Sequence, residues 1–321
     1  MVKIVIGNTG ARSPRLGKAS ASRATVLAAI AWLFVGMMTD SARAEALRWK
    51  FKAGEVLHYS IEQKIAMNAK GMDQERKSSR LQTLDISWTV NSVGAGGEAE
   101  ITLRYDRVRM RSEMPPLMPF EFDSQDSKAS VQPGFEAETQ QLKAIVGAEV
   151  GFKIRPTGEI EDVKLPEATL KRLRDAAPKG TAEGEVSEKS LKEMLLQSSP
   201  PSFPDGEIEP GKTWSSKPAR MPIGFATMVL EKTFTYQGPD PKATKLLLVG
   251  MEIKATLEPA EGANVTATIR KQEGRGSMSF DAASGHMANA RLSQKIDMAI
   301  TVMGQTMEQI TDTTTSMTLA P

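Results

Sequence analysis

The chain predicts an α+β protein that is mostly β: long, curved antiparallel sheets, half-barrel-like, with a few short helices inserted in the middle. Apolar and polar residues alternate over long runs in the N-terminal and C-terminal thirds, the period of a strand with one buried and one wet face. Clusters bearing Gly and Pro punctuate those runs. Helical spacing is confined to residues between 137 and 195.

In order along the chain, Leu57, Tyr59, Ile61, Ile65 and Met67 share one parity, and His58, Ser60, Glu62 and Lys64 the other. The polar stretch 68–80 reads as a turn. Leu84, Ile86, Trp88 and Val90 form a second strand, Gly94-Ala95-Gly96-Gly97 a turn, and Ala99, Ile101, Leu103 and Tyr105 a third strand. Val108 and Met110 fall on the opposite parity, which requires a bulge at Asp106–Arg107. Residues 111–135, rich in Pro and Met, read as an irregular crossing. A short helix over 137–146 follows, with Leu142, Ile145 and Val146 on one side. Phe152 and Ile154 face Ile160 and Val163 across Pro156-Thr157-Gly158, a hairpin signal.

Pro166 suits a first helical position, and Leu170, Leu173 and Ala177 follow before Pro178 and Gly180 stop the helix. Ser187 reads as the N-cap of another, with Val186 and Leu191 as a hydrophobic staple and Leu191, Met194 and Leu195 as its stripe. Residues 198–206 form a stiff connector. Ala226, Met228, Leu230, Phe234 and Tyr236 then resume strand parity, as do Val249–Leu257, Val265–Ile269 and the long run 288–302, with Gly304 turning into a Thr-rich return strand at 307–319. Ala53-Gly54-Glu55 and Pro210-Gly211-Lys212 each open a β segment leading to an aromatic-centred strand, at Trp88 and Phe234. Two similar lobes are one reading of that echo; the general likeness of hairpins is the other. The divisions are a leader at 1–44, an N-terminal β lobe at 45–165, a helical insert and linker at 166–206, and a C-terminal β lobe at 207–321.

The leader has the order of a secretory signal peptide. Lys3, Arg12, Arg15, Lys18 and Arg23 precede any acid, and the apolar run Val26–Met38 follows. Its 13 residues fall short of the roughly 20 that span a bilayer. Ala42-Arg43-Ala44 is an A-x-A site, which places cleavage between Ala44 and Glu45. Without a paired arginine a twin-arginine route has no support. The mature product is expected to be soluble, with no transmembrane segment, in the periplasm or outside the cell. Residues 1–44 hold six of the 41 basic residues and one of the 39 acids, leaving 35 against 38 and a net charge of −3. A slightly acidic product gives no electrostatic case for nucleic acid.

The absence of cysteine removes disulfides, thiol nucleophiles, thiolate zinc sites and iron–sulfur clusters. The two histidines, His58 and His286, show no metal-binding spacing and read as solvated surface residues. No G-x-S-x-G elbow occurs; Gly276-Ser277-Met278-Ser279 lacks the second glycine and lies in a strand. No phosphate loop or dinucleotide fingerprint is present. Asp123 and Asp126 lack the calcium-loop pattern and read as turn acids. Asn264-Val265-Thr266 matches a glycosylation sequon without meaning in a bacterial export context. Met67, Met228, Met251, Met278 and Met298 fall on inward parities. They fit gap-filling in a core short of aromatics, or an adaptable apolar binding surface.

The leader, the opening R-W-K-F-K-A-G-E-V-L-H-Y at 48–59 and the closing G-S-M-S-F-D-A-A-S-G-H-M at 276–287 resemble a family of secreted bacterial proteins of unknown function. The resemblance implies a fold and no activity. At the level of fold, the long one-sided strands with inserted helices also resemble the half-barrels of periplasmic lipoprotein-carrier proteins, although the missing cysteine departs from lipid-anchored members. The sequence thus implies no cofactor, metal or catalytic residue. Its expected role is a non-catalytic envelope protein that holds an apolar ligand or lipidated partner. The alternatives are a structural or protein-interaction module of the envelope and a carboxylate-based hydrolase.

Overall fold

In a computed structural model, residues 44–320 are described apart from 72–73, 127–130, 178–187, 189–191, 193–201, 223–225 and 261–264. The leader through Arg43, the Ser187 cap, the Leu191–Leu195 stripe and Asn264 lie outside the described residues. Within them run β1 (Val56–Gly71), β2 (Gln74–Val93), β3 (Ala99–Glu113), β4 (Phe120–Asp123), α1 (Glu136–Ile145), β5 (Glu149–Ile154), β6 (Ile160–Lys164) and α2 (Glu167–Asp175). The chain continues with β7 (Thr213–Ser215), β8 (Ala219–Pro222), β9 (Ala226–Asp240), β10 (Ala243–Pro259), β11 (Val265–Asp281), β12 (His286–Val302) and β13 (Gln305–Leu319). Glu188 and Lys192, four residues apart and ion-paired at 2.6 Å, are helical as well.

The strands make one antiparallel sheet in the order β6-β5-β3-β2-β1-β13-β12-β11-β10-β9-β7, with β4 on β3 and β8 on β9. It is curved and not closed into a barrel. Its seam joins the two ends of the described chain: Tyr59 pairs with Leu319 and Lys70 with Glu308. The register along β3 slips between Asp85/Arg107 and Ile86/Tyr105, which is the bulge the parity change requires. It keeps Val108 and Met110 on the buried face. Curvature has a local cause in β11. A Cβ on Gly274 would lie 2.6 Å from the Ile253 carbonyl oxygen, and one on Gly276 2.5 Å from that of Arg291. Only glycine permits such close strand approach.

One end of the sheet is sealed. The segment Leu47–Phe51 crosses it. Trp49 N–H donates to the Pro156 carbonyl at 2.8 Å, in the β5–β6 turn. Lys50 N–H donates to the Gly285 carbonyl at 3.2 Å, in the β11–β12 turn. Trp49 stacks on Phe51, tilts against Trp88 and meets Phe280 edge-on, with centroids 5.6–6.1 Å apart. Tyr59, Phe152, Phe203, Phe234 and Tyr236 complete this buried cluster. Truncating one such aromatic costs about 3–5 kcal/mol, so a few rings dominate the energy of this end.

The echo between Gly54 and Gly211 is geometric. Gly54 N–H donates to the Val90 carbonyl and Val90 N–H to that of Glu55. Gly211 N–H donates to the Tyr236 carbonyl and Tyr236 N–H to that of Lys212. Leu57 stands opposite Trp88, and Trp214 opposite Phe234. Three residues separate each glycine from its partnered position, and the aromatic lies two before the bonded strand residue in both.

Two expectations about the elements need correction, and two short strands are not legible in the sequence. The stretch 68–80 is not a turn. β1 runs to Gly71 and pairs with β2 from Gln74. Because the last residue of β3, Glu113, pairs with Ser79, this hairpin projects past its neighbour. On its other side β1 stays paired with β13 to Lys70. Gln74–Lys77 are exposed while Asn68, Ala69, Gly71 and Ser78 are half-buried, so polarity there accompanies strand structure and not a loop. Residues 111–135 contain β4, held on β3 by Ser112–Phe120 to Arg109–Asp123 pairing. The short edge strands β7 and β8 have too few residues for alternation to mark them.

Gly285 has φ +74, and a Cβ there would sit 2.5 Å from the Lys50 nitrogen; Gly54 has φ +83 and open space around its Cβ position. Both alanine variants carry the left-handed backbone penalty, and only Gly285→Ala also collides with the crossing segment. Urea unfolding should show Gly285→Ala less stable than Gly54→Ala by about 1–3 kcal/mol, the cost of overpacking.

Candidate functional site

The inner parity of the sheet divides into zones. At the sealed end the aromatic cluster fills the space. On the first half, toward the opposite end, Val108, Met110, Phe120 and Phe122 pack under Leu142 of α1. On the second half, Met228, Ala255, Ile296, Met298 and Ile300 form a third apolar cluster. Among the described helices, none is part of this third cluster.

Between these zones lies a half-buried band with few charges. The register aligns Ile61 with Met317, Gln63 with Thr315, and Ile65 with Thr313 across β1 and β13. It continues through Ala290, Leu292 and Gln294 on β12 and through Leu84 and Gln82 on β2. Leu292 is half-buried and belongs to none of the three apolar clusters. The Gln294 Nε2 is fully buried with no acceptor from the protein, an unusual state for a polar atom. Beyond Glu252–Arg275, β10 and β11 stop pairing. There the Gln272 side chain takes the place of a ladder residue: its Nε2 donates to the Ala255 carbonyl at 2.9 Å and its Oε1 accepts from Ala255 N–H at 2.6 Å. Lys232 also lies on the inner parity, opposite Ile253, and burial pulls its amine below the ordinary lysine range.

The strand acids stand on the outer parity. Asp85 accepts from Ser60 at 2.8 Å and from Arg109 at 3.0 Å. Asp297 and Glu308 flank Arg270. No facing carboxylate pair occurs on the inner face of the described strands. His58 is exposed, as expected. His286 is not: it is 7% accessible, its Nε2 lies 2.9 Å from the Lys50 carbonyl, and Glu55 is 3.6 Å away. A turn residue looks solvated in sequence, and here the crossing segment covers it. Met228, Met278 and Met298 are buried, while Met67 and Met251 are half-buried on the inner face. Ala42 lies outside the described residues. Ala44 is the first described residue, and Glu45 bridges Ile208 through two backbone hydrogen bonds of 2.9 and 3.0 Å. Sequence reasoning missed Gln294 and Gln272, because a polar residue on an inner parity looks like a lapse in a pattern until its partners are known.

A separate cavity of ≈ 360 Å³ lies between β4 and α1, lined by Phe120, Phe122, Asp123, Thr139, Lys143 and Val146 among others. Asp123 is engaged by Arg107 through two hydrogen bonds, 3.0 and 2.5 Å. The Arg107 guanidinium holds the Asp123 carboxyl at about 2, with the Gln125 N–H adding to the effect. This pair fastens β4 to the bulge in β3.

Residues 96–287 match a family described as a family of unknown function (DUF6263). The 276–287 motif falls inside that span, and 48–59 precedes it. No curated protein matches the sequence. Among solved structures, that of lipid–protein interactions in lipovitellin is similar at 11% identity and TM-score 0.48, over 85% of this chain and 26% of that one. The chain thus spans about a quarter of the lipovitellin chain. A domain from Vibrio parahaemolyticus, described as an outer membrane lipoprotein-sorting protein, matches at 14% identity and TM-score 0.14 over 79% and 83% of the two chains. A DUF1329 family protein from Desulfovibrio piger matches at 6% and 0.13 over the same shares. At these scores the likenesses carry no weight about the site. Among the described residues no helix is long and apolar enough to cross a membrane.

The Arg107–Asp123 pair has a pH signature. Its carboxyl titrates lower when folded than the ordinary ~3.9 of an unfolded chain, so its contribution is present above about pH 4 and is lost as pH falls toward 2. Asp123→Asn should lower stability at neutral pH by about 1 kcal/mol, discounted for partial exposure. The gap to the wild type should close in urea melts as pH approaches the folded value.

Proposed function

The chain belongs to the DUF6263 family of unknown function, and from that premise we propose that it is an exported, non-catalytic envelope protein that holds an apolar or lipid-like ligand on its concave sheet face. The observation that carries this is the half-buried band of Ile61, Leu84, Leu292 and Met317, interleaved with Gln and Thr, in front of a sealed aromatic base. Such a surface can take an alkyl chain by contact burial, worth about 0.8 kcal/mol per CH₂. The half-buried Gln63, Gln82 and Thr315 of the band offer polar groups to a ligand carbonyl or hydroxyl, so that the head of the ligand and not its tail sets orientation. The outer-parity acids leave a carboxylate hydrolase without support. The alternative, a module that recruits a partner through strand edges, draws on β6 and β7. These have five and three residues, and short edges are poor templates for strand addition.

Export rests on the order of basic leader, apolar run and A-x-A site. Cleavage after Ala44 would leave an ammonium at Glu45, which can still donate to the Ile208 carbonyl. N-terminal sequencing of the exported product should begin at Glu45, and a product that retains Val26–Met38 would refute processing there.

Native mass spectrometry with lipid extraction should find an apolar molecule on the mature protein, and a fluorescent fatty-acid probe should bind it. Leu292→Arg should weaken probe binding by at least about ten-fold, the loss of roughly 1.4 kcal/mol, with the melting temperature little changed. An empty protein that ignores the probe would overturn the ligand role.

A further inference from the structure

The two ends of the sheet differ in the chemistry of their turns. At the sealed end, connections are small and polar: Gly94–Gly97, Pro156-Thr157-Gly158, Asp240–Lys242 and Ala282–Gly285. At the other end, two described connections, the one after β3 and the β12–β13 turn, carry exposed apolar side chains. The exposed large hydrophobics include Met114, Leu117 and Met118 after β3, and Val302, Met303 and Met307 at the β12–β13 hairpin. Because the sheet order is β3-β2-β1-β13-β12, these groups flank the projecting β1–β2 hairpin on both sides.

That hairpin is basic. Beyond Ser79, residues 67–78 carry three bases, Lys70, Arg76 and Lys77, against two acids, Asp73 and Glu75, a net +1. Lys64 and Arg80 below them pair with Glu62 and Glu138. Lys70 and Lys77 share one carboxylate, Glu75, at 3.7 and 3.4 Å, and the Arg76 guanidinium donates to the Gln74 side-chain oxygen. The rim therefore reads apolar, basic, apolar along consecutive strands.

Met303 is the most telling residue. It sits at a two-residue hairpin tip between Val302 and Gln305, at φ +49, where Asn, Asp or Gly is favoured. Its side chain is 90% exposed. An apolar side chain held in water on a strained backbone stabilises nothing within the chain. Met118 is 79% exposed in a run with Pro115, Pro116 and Pro119, a stiff mount for an apolar tip. Large apolar side chains on separate projecting turns, with cations between them, match a bilayer surface: the tips enter the acyl boundary while lysine and arginine meet phosphate headgroups.

We propose that this rim docks the protein on an anionic lipid bilayer. Docking is independent of whether the concave face carries a ligand, since vesicle association is read without any transfer step. The chain from Glu45 onward holds every described strand and both helices, and is the form to test. In flotation with phosphatidylcholine vesicles, with or without phosphatidylglycerol, it should bind the anionic vesicles and release at high salt. Met303→Asn suits the left-handed turn better than Met, so it should keep or raise the melting temperature. Combined with Met118→Ser it should weaken binding at least about five-fold, the order expected from withdrawing two apolar tips from the interface. Arg76→Gln and Lys77→Gln should each weaken binding to anionic vesicles about five-fold, while leaving neutral vesicles unaffected. No association with either vesicle, or equal association by wild type and the Met303/Met118 variant, would overturn the proposal. So would a dimer in sedimentation that Met303→Asn dissolves while vesicle binding stays nil, which would assign the rim to a second copy of the chain.

Discussion

The arrangement depends on the short segment Leu47–Phe51. A thirteen-stranded sheet that bends without closing exposes the inner ends of its strands. Here one stretch of backbone spans that opening and bonds to a turn from each half, through Pro156 and Gly285. Trp49, 1% exposed, delivers its indole to the place where Trp88 and Phe280 converge. No disulfide helps, so the ladder of β1 on β13 joins the two halves, and this crossing with its aromatic contacts ties their turns together at the sealed end. Gly285 is the steric condition for it, since any side chain there would occupy the path of Lys50.

Closing one end determines what the rest of the concave face can be. Most of the aromatic residues are spent at the base, with Phe120 and Phe122 under α1 the exception, and the half-buried band beyond the base is mostly aliphatic, Met, Gln or Thr. The strand acids are kept on the outer parity, where Arg109–Asp85, Arg107–Asp123 and Arg270–Asp297 pair in or near water, while Lys232 and Arg80 stand on the inner one. Such pairs contribute little energy singly. Their consequence is compositional: the concave side keeps few charges. Gln272 shows how the sheet tolerates its own splitting, with a side-chain amide satisfying the backbone that β11 leaves behind as it diverges from β10.

A closed base and an open, apolar-tipped rim give the molecule a direction. A ligand on the inner band would enter from the rim, and the rim is where the exposed Met and Leu residues and the basic hairpin are found. The same strands carry Gly and Asp turns at one end and Met tips at the other. The β12–β13 turn has its own glycine, Gly304 at φ +81, so what sets the rim apart is the exposed Met303 beside it, the residue the proposed bilayer contact uses.

Much of this was legible in the residues. Alternation in 57–67, 84–90, 249–257 and 288–302 determined which side chains face inward, and the parity break at Asp106–Arg107 located the bulge, because the pleat is a local property of two neighbouring residues. Turn residues placed most of the connections for the same reason. Three things were decided only by the fold: the pairing of β1 with β13, the burial of His286, and the extension of the β1–β2 hairpin through the polar residues 68–80. The first joins residues some 250 positions apart, a choice no local pattern encodes. The second depends on a segment arriving from elsewhere to cover a turn. The third reverses the usual meaning of polarity, since β2 runs on beyond the end of β3 with its residues Gln74–Lys77 exposed and needs no apolar side there. The inner Gln and Thr belong with these: sequence determined their parity, and only the curvature made that parity the lining of a partly open face.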